Sequence, residues 1–284
     1  MSELKETSDH VASGDVEIFY RKFGRPGRMP VLIVHGLSYT SYDWIDAARL
    51  IACDREVAAM DMRGFGESTW SVQHDYKLES QSADVVAVLD ALGWSRAVLM
   101  GHSFGGRVML ACATWQPERA GAYISVDFAP DLAPAGRRHV AERIGRQPDF
   151  FKSVEDAMAY HGHQDVPLES RIRRRWESFL RKTEHGYVMK RDLHYRDMFR
   201  KALETGKSAP VPDFLWPMMA KITIPTLVVR ATESDMFEPQ TLEKAKKLNP
   251  RFVGVEIAGS HNLPGDNPTG LAQVVTKFLD DTSL

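Results

Sequence analysis

The sequence predicts an α/β fold in which a mostly parallel sheet carries helices on both faces. Two observations predict it. Short apolar runs alternate with longer segments of helical periodicity, and most of the runs are continuously apolar, as is typical of strands covered on both faces. A chain of 284 residues is long enough for one such domain with an insertion. Its composition, 43% hydrophobic and 26% charged, is ordinary for a globular enzyme.

The strand and helix patterns follow one another along most of the chain. Residues 29–34 (MPVLIV) show the buried-strand pattern most clearly, whereas residues 16–23 have apolar side chains near alternate positions and predict an edge strand. The remaining predicted strands are 57–60, 97–100, 122–126, 226–229 and 252–257. The predicted helices are 44–52, 78–92, 104–115, 239–248 and 268–279.

The alternation stops between Pro130 and Pro217, where helical periodicity dominates and little strand pattern is found. Residues 137–207 contain 17 Lys and Arg against 11 Asp and Glu, a net charge of +6 that leaves −8 for the rest of the chain. We therefore predict an α/β core from residues 1–130 and 217–284, with residues 131–216 forming a mainly helical cap inserted over the sheet.

Composition also limits the partners and the compartment. A net charge of −2 gives no reason to expect nucleic acid or an anionic membrane, and residues 1–14 lack the apolar centre of a signal peptide. Cys53 and Cys112 lie in apolar sequence and are predicted to be buried thiols. A cytoplasmic location is expected, and the oligomeric state stays open.

The first chemical motif is Gly101-His102-Ser103-Phe104-Gly105-Gly106, between a predicted strand and a predicted helix. This is the context in which G-x-S-x-G forms a nucleophile elbow. The turn is strained, so the positions two residues away from the serine must lack bulk, and Gly101 and Gly105 provide that space. The turn would raise the Ser103 hydroxyl above the sheet, at a helix N-terminus that favours developing negative charge.

The second motif, His35-Gly36-Leu37, follows the strand at 29–34. An oxyanion hole needs two backbone amides that converge on one point, and we assign them to Leu37 and to Phe104, the residue after the nucleophile. Gly36 lets the loop approach closely. His35 is interpreted as a structural residue that fixes this loop, with catalysis as the alternative.

The third motif is D-x-R-G-x-G-x-S at residues 61–68, where Asp61 and Arg63 are predicted to hold a glycine-rich turn. Together the three motifs resemble those of the α/β-hydrolase superfamily, in the branch with a serine nucleophile and a helical cap. They occur in the family's order and cover nearly the whole chain except the cap. The resemblance implies the α/β-hydrolase fold and a Ser-His-Asp triad that needs no cofactor and no metal.

Family order places the triad acid and then the histidine after the nucleophile. We favour Asp235, because its loop follows the strand at 226–229 and resembles the family's G-x-x-S-D pattern, with Ala231 in place of the glycine. Asp127, directly after the strand at 122–126, is the alternative, since some family members place the acid there. Glu233 is a third and weaker candidate. His261, in Gly-Ser-His-Asn after the last strand, is assigned as the base.

Several other residues are candidates for contact with a small-molecule substrate. Phe128 and Trp216 lie at the predicted hinges of the cap, and Ser38, Tyr39 and Tyr42 follow the oxyanion loop. The basic run at residues 171–175 predicts a solvated helix face, with an anionic substrate group as the alternative ligand. His161, His163 and Asp165 could suggest a metal, but no further ligand cluster lies near them, and we predict no metal site.

The function predicted from these residues is hydrolysis of a carboxylic ester, or of a lactone or amide, through an acyl-enzyme. One alternative is hydrolysis of a C–C bond in a carboxylated vinylogous diketone, which similar family members perform with the same triad. An alternative of another class is a ligand receptor or binding protein built on the hydrolase scaffold. Relatives that open epoxides or displace halide use aspartate as the nucleophile, so Ser103 argues against those reactions.

Overall fold

A computed structural model describes residues 6–167, 169–207 and 211–284; the first five residues of the predicted N-terminal segment and short parts of the predicted cap therefore lie outside the described residues. Its strands, in chain order, are β1 (Thr7–Ser13), β2 (Val16–Gly24), β3 (Arg28–Val34), β4 (Arg55–Met60), β5 (Ala97–His102), β6 (Ala120–Val126), β7 (Phe150–Phe151), β8 (Leu180–Thr183), β9 (Gly186–Met189), β10 (Thr226–Glu233) and β11 (Phe252–Ser260).

The central sheet has eight strands in the order β1-β2-β4-β3-β5-β6-β10-β11. From β4 to β11 neighbouring strands are parallel, and β2 and β1 add an antiparallel end. The predicted α/β-hydrolase fold with a mostly parallel sheet is confirmed. The prediction that residues 16–23 form an edge strand is wrong, because β2 is paired on both sides and β1 forms the edge.

Helices cover both faces of this sheet. The helices of the chain, including those of the inserted layer, are α1 (Ile45–Ile51), α2 (Leu78–Ala91), α3 (Phe104–Trp115), α4 (Pro134–Arg146), α5 (Val154–Tyr160), α6 (Arg171–Phe179), α7 (Leu193–Thr205), α8 (Leu215–Lys221), α9 (Pro239–Leu248), α10 (Leu263–Asp266) and α11 (Pro268–Asp281). Because successive strand residues point to opposite faces, Val31 and Ile33 pack with α1 and α11. Leu32 and Val34 pack on the other face with α2, α3, α8 and α9.

Between β6 and β10 the chain forms the inserted layer. Its helices α4 to α7 carry a small antiparallel sheet in the order β7-β9-β8, which the sequence pattern did not predict. Phe151, Trp176 and Phe179 belong to a separate apolar cluster of this layer. The boundary predicted between residues 216 and 217 falls inside α8, whose buried Leu215 and Met219 already pack in the core.

Two arginines of α6 tie the inserted layer to the core. Arg171 forms an ion pair of 2.8 Å with Asp46 on α1. Arg175 pairs with Asp43, a carboxylate that is almost fully buried. Their neighbours Arg173 and Arg174 bind Glu155 and the backbone of Glu169. The basic run therefore fastens α6 to acidic and carbonyl groups of the protein, and it does not line the cavity over Ser103 described below.

The two cysteines differ in environment. Cys112 is fully buried on α3, and burial raises the pKa of its thiol to about 11. Cys53 is exposed, so the prediction that it is buried is wrong; it follows α1 in the tight connection to β4, where its side chain faces outward. Within the described ranges, no helix combines the length and apolar character that a bilayer crossing requires.

A buried ion pair holds the glycine-rich turn after β4. Arg63 donates from Nε and Nη2 to the two carboxylate oxygens of Asp84 on α2, both at 2.7 Å. The Nη1 atom also donates to the Asp75 carbonyl at 2.8 Å. The predicted role of Arg63 in this turn is thereby confirmed, and the pair links the turn to a core helix.

We predict that Arg63→Met lowers the free energy of unfolding by about 3–5 kcal/mol, because Asp84 is left as a buried charge without its cation. Urea denaturation gives the change as a lower midpoint. Lys277→Met, which removes the exposed pair with Asp281, is the control and should leave the midpoint within error. Equal midpoints for Arg63→Met and the wild type would contradict a structural role for the pair.

Candidate active site

Ser103 lies at the carboxyl end of β5, where the chain turns directly into α3. Its backbone has φ 52° and ψ −121°, a conformation that a non-glycine residue adopts only when its surroundings enforce it. The Ser103 N–H donates to the Val126 carbonyl of neighbouring β6 at 3.0 Å. The side chain therefore projects above the carboxyl edge of the sheet, as the G-x-S-x-G motif predicts.

The glycines of the motif are required by close backbone packing. A Cβ atom on Gly101 would lie 2.3 Å from the Gly105 carbonyl oxygen, and one on Gly105 would lie 2.4 Å from the His35 carbonyl oxygen. Side chains at these positions would push α3 away from β3 and β5. The space that the sequence analysis assigned to Gly101 and Gly105 is thus the space in which the turn and the oxyanion loop meet.

His261 bridges Ser103 and an aspartate. Its Nε2 atom lies 2.9 Å from Ser103 Oγ, and its Nδ1 atom lies 2.6 Å from Asp127 Oδ2. A carboxylate only accepts hydrogen bonds, so Nδ1 carries the proton in the neutral ring and Nε2 is left to accept from the serine hydroxyl. This order of contacts is the geometry that lets a serine be deprotonated as it attacks.

The Asp127 carboxylate is fully buried and held by three donors. Besides His261, the Ala231 N–H donates to Oδ1 at 2.8 Å and the Ser234 hydroxyl donates to Oδ2 at 2.6 Å. Asp127 itself has φ 47° directly after β6, which turns its side chain toward the loop after β10. The end of β10 and the loop after it therefore hold the carboxylate that faces His261.

The assignment of Asp235 as the acid is wrong for this reason. Its carboxylate points away from His261 and contacts His139 on α4 at 2.8 Å, where both side chains are exposed. The neighbouring Ser234, not Asp235, turns inward and binds Asp127. Glu233, the third candidate, is exposed at the end of β10. The alternative kept open in the sequence analysis, Asp127, has the required contact.

The loop after β3 lies against the nucleophile. A Cβ atom on Gly36 would be 2.9 Å from Ser103 Cβ and 2.8 Å from His102 Nδ1, so only glycine allows this approach. Leu37 and Phe104, whose amides we assigned to an oxyanion hole, line the same cavity as Ser103. The described geometry therefore brings both residues to the side of the serine.

His35 has the structural role that the sequence analysis preferred. It is fully buried; its Nδ1 atom donates to the Gly36 carbonyl at 2.8 Å and its Nε2 atom accepts from the Met62 N–H at 2.9 Å. Asp61 completes the support, since Oδ1 accepts from the Ser41 N–H at 2.5 Å and Oδ2 from the Glu67 N–H at 2.9 Å. Together they fix the loop after β3 against the turn after β4.

A cavity of about 590 Å³ opens over Ser103 and His261, between the sheet edge and the inserted layer. Its apolar lining comes from both layers and includes side chains that the sequence analysis did not name. Helix α7 supplies several of them, which sequence could not place over the site because their approach depends on packing of the inserted layer. The apolar lining residues described are Leu37, Phe104, Phe128, Leu132, Val140, Met198, Phe199, Ala202, Val211 and Met236.

Of the proposed substrate contacts, only Phe128 lines this cavity. Trp216 lies outside it, donating from Nε1 to Asp131 at 2.7 Å with Lys244 over its ring. Tyr39 is buried and packs its ring edge against His102, with ring centroids 5.1 Å apart. The expected substrate contact of Tyr39 and Trp216 is therefore not found, because both side chains are used in packing between segments.

The other two candidates beside the oxyanion loop also lie outside the cavity lining. Ser38 adopts φ 65°, and its hydroxyl is buried with no hydrogen-bond partner among the described residues. Tyr42 lines a separate surface depression with Arg21 and Arg49. In the inserted layer, His161 stacks on Trp176 with centroids 4.4 Å apart, and its environment is that of a packed side chain.

Comparison with known proteins agrees with this fold. A family model described as the alpha/beta hydrolase fold matches residues 29–268. Epoxide hydrolase 4 of Mus musculus is 26% identical, covering 95% of this chain and 78% of the relative. The 2-(acetamidomethylene)succinate hydrolase of Mesorhizobium japonicum is 23% identical, covering 96% and 97%. Lipase LipV of Mycobacterium tuberculosis is 23% identical, covering 93% and 98%.

Among solved structures, a crystal structure of E-2-(acetamidomethylene)succinate hydrolase superposes with a TM-score of 0.82 at 22% identity, covering 97% of this chain and 100% of that one. An α/β hydrolase from Novosphingobium aromaticivorans gives a TM-score of 0.77 at 24% identity, covering 99% of each chain. At these identities the structural likeness shows the fold alone.

Buried histidines predict how stability depends on pH. Burial lowers the pKa of His35, His102 and His161, that of His161 to about 4. The folded chain therefore binds fewer protons than the unfolded chain, whose histidines titrate at about pH 6.5. Stability from these groups is complete above that pH and falls as the pH is lowered toward 4.

We expect the urea midpoint to fall between pH 7 and pH 5, and to fall less in His161→Phe, which keeps a ring on Trp176. The difference should be about 1–2 kcal/mol over this interval. His185→Phe, at an exposed position, should follow the wild type. The same pH dependence in both variants would show that His161 does not contribute.

Proposed function

The chain belongs to the α/β-hydrolase family, and within it we propose a serine hydrolase that cleaves a carboxylic ester, or a lactone or amide, through an acyl-enzyme. The proposal rests on two hydrogen bonds, one between Ser103 and His261 and one between His261 and Asp127. The hydrolase names of the relatives support catalytic activity over the alternative of a receptor or binding protein.

In the proposed mechanism, His261 Nε2 takes the proton of Ser103 Oγ as the oxygen attacks the acyl carbon. Asp127 keeps the ring in the tautomer that has Nδ1–H and stabilises the imidazolium. The Leu37 and Phe104 amides receive the oxyanion, an interaction worth about 10²–10³-fold in rate for each donor. His261 then donates its proton to the leaving alcohol, and a water molecule, activated by the same ring, releases the acid.

Epoxide opening, which the name of one relative indicates for that protein, is not carried over. Attack of a serine oxygen on an epoxide carbon would leave an ether on Ser103. An ether has no acyl carbon for water to attack, so the enzyme could not be regenerated by hydrolysis. A nucleophilic carboxylate would leave an ester instead, and no carboxylate occupies the position of Ser103.

Cleavage of a C–C bond in a carboxylated vinylogous diketone is a second candidate. It uses the same serine and histidine, and the basic side chains that line the cavity favour a carboxylated substrate. The relative named for 2-(acetamidomethylene)succinate acts on a dicarboxylate by that name. Turnover of a dienone carboxylate in the absence of turnover of any ester would favour this candidate.

A serine-directed phosphonate and an ester panel test the proposal. We expect the phosphonate to label Ser103, as located by peptide mass spectrometry, and the Ser103→Ala variant to lose both the label and ester hydrolysis. Thermal unfolding of the variant shows whether the fold is kept. Ester hydrolysis that persists in a folded Ser103→Ala protein would overturn the proposed nucleophile.

The two aspartates provide a matched pair of variants. We predict that Asp127→Asn lowers kcat by about 10³–10⁴-fold, because an amide cannot hold the required tautomer of His261. Asp235→Asn should remain close to the wild type, since its carboxylate contacts the exposed His139. The measurement is kcat for the best ester of the panel; the reverse ranking would restore Asp235 as the acid.

A further inference from the structure

Basic side chains are concentrated in the cavity above Ser103. None of the described residues that line it is an aspartate or a glutamate, whereas five carry a positive charge. They are Arg107, Arg137, Arg143, Lys201 and Lys207. Helix α3 of the core supplies the first, and helices α4 and α7 with the segment that follows supply the others. The cavity is therefore an apolar space with a cationic wall.

Arg107 lies one helical turn after Ser103 on α3. Its Nε atom is buried and has no hydrogen-bond partner among the described residues, and within those residues it forms no ion pair with a carboxylate. Its guanidinium lies over the ring of Phe104, 5.2 Å from the centroid. Burial and the neighbouring Arg137 lower the pKa of Arg107 to about 10, so it remains a cation at neutral pH, with no compensating anion among the described residues.

Arg143 faces the same cavity from α4 of the inserted layer. Its Nε atom is likewise buried and unpartnered in the described part of the chain, and its guanidinium lies 5.4 Å from the ring centroid of Tyr39. Other arginines of this layer do have carboxylate partners: Arg171 binds Asp46, and Arg173 binds Glu155. Among the described residues no acid pairs with Arg143, whose Nη1 atom donates to the Tyr39 hydroxyl at 3.5 Å.

A partly buried cation without a counter-ion is unfavourable unless another group compensates it. We infer that the substrate carries, besides the acyl group attacked by Ser103, a carboxylate that lies between Arg107 and Arg143. A guanidinium has a planar set of donors that matches the two oxygens of a carboxylate. This inference rests on the proposed function and deepens it, since it defines the substrate class as half-esters of dicarboxylic acids or similar carboxylated acyl compounds.

The position of Arg107 also limits the distance between the two functional groups of the substrate. Four residues of α-helix span about 6 Å along the axis, so the anion and the acyl carbon are separated by a short carbon chain. An anion held there would contact the core through α3 and the inserted layer through α4. The substrate would then bridge the two layers over Ser103.

The kinetic test compares two esters of nearly the same shape. Monoethyl adipate carries a carboxylate at the far end, and ethyl adipamate carries an uncharged amide there. We expect the wild type to have kcat/KM about 10–100-fold higher for the charged ester, the range of a charge-assisted hydrogen bond to a buried group. Equal kcat/KM values for the two esters would overturn the inference and leave the esterase proposal standing.

Substitutions of the two arginines test which side chains cause the preference for the charged ester. Arg107→Met and Arg143→Met should each reduce the preference for monoethyl adipate by about tenfold or more, mainly through KM. Arg107→Lys should restore part of it, since a lysine keeps the charge but not the planar donor set. Arg138→Met, an exposed neighbour on α4 outside the cavity lining, is the control and should keep the wild-type preference. A preference that survives in both cavity variants would contradict the assignment.

A binding measurement separates this inference from the proposed reaction. In Ser103→Ala, monoethyl adipate should raise Tm more than ethyl adipamate does, and the difference should disappear in the double variant with Arg107→Met. This measurement is informative even if the wild type hydrolyses no ester. That result would contradict the proposed function and leave the carboxylate site untouched. Equal shifts in Tm with both compounds, or a shift with inorganic phosphate only, would overturn the carboxylate site. The Tm of Arg107→Met without ligand shows that the variant is folded.

Discussion

The buried carboxylate of Asp127 is the group on which the arrangement of the site depends. It accepts hydrogen bonds from His261, from the Ala231 N–H and from the Ser234 hydroxyl. It therefore joins the ends of β6, β10 and β11 at one point. Buried polar oxygens need hydrogen-bond donors, and these three donors also determine the orientation of the carboxylate. The orientation of His261 toward Ser103 follows from that of Asp127.

The sheet makes this convergence possible. Ser103 and Asp127 directly follow two adjacent parallel strands, β5 and β6, and both residues have positive φ. Neighbouring strands are about 4.8 Å apart, so the two turns are close without any connection between them along the chain. Strained backbone of this kind persists when the surroundings determine it. Here the close packing of Gly36, Gly101 and Gly105 provides that constraint.

Local sequence patterns predicted those parts of the structure that depend on residues close together in the sequence. The apolar runs, the glycines around Ser103 and the His35-Gly36-Leu37 loop are each contained in a few consecutive residues, and their predicted structure is confirmed. The choice between Asp127 and Asp235 depends on which side chain turns inward, and this depends on hydrogen bonds between residues more than 100 positions apart in sequence. The short strands β8 and β9 likewise depend on pairing within the inserted layer, since β8 consists largely of exposed polar residues. The sequence of α7 likewise gives no local indication that this helix lines the cavity.

The pair between Arg175 and Asp43 has a consequence for chimeric proteins. Asp43 is a buried core residue whose other carboxylate oxygen accepts from the Thr40 N–H at 2.9 Å, and Arg175 of the inserted layer supplies its cation. A chimera that exchanges residues 131–216 for the insertion of another protein would leave this carboxylate in the interior without its cation. When the insertion is exchanged between relatives to change substrate specificity, the residue at position 43 therefore has to be exchanged with it, although the two are far apart in the sequence.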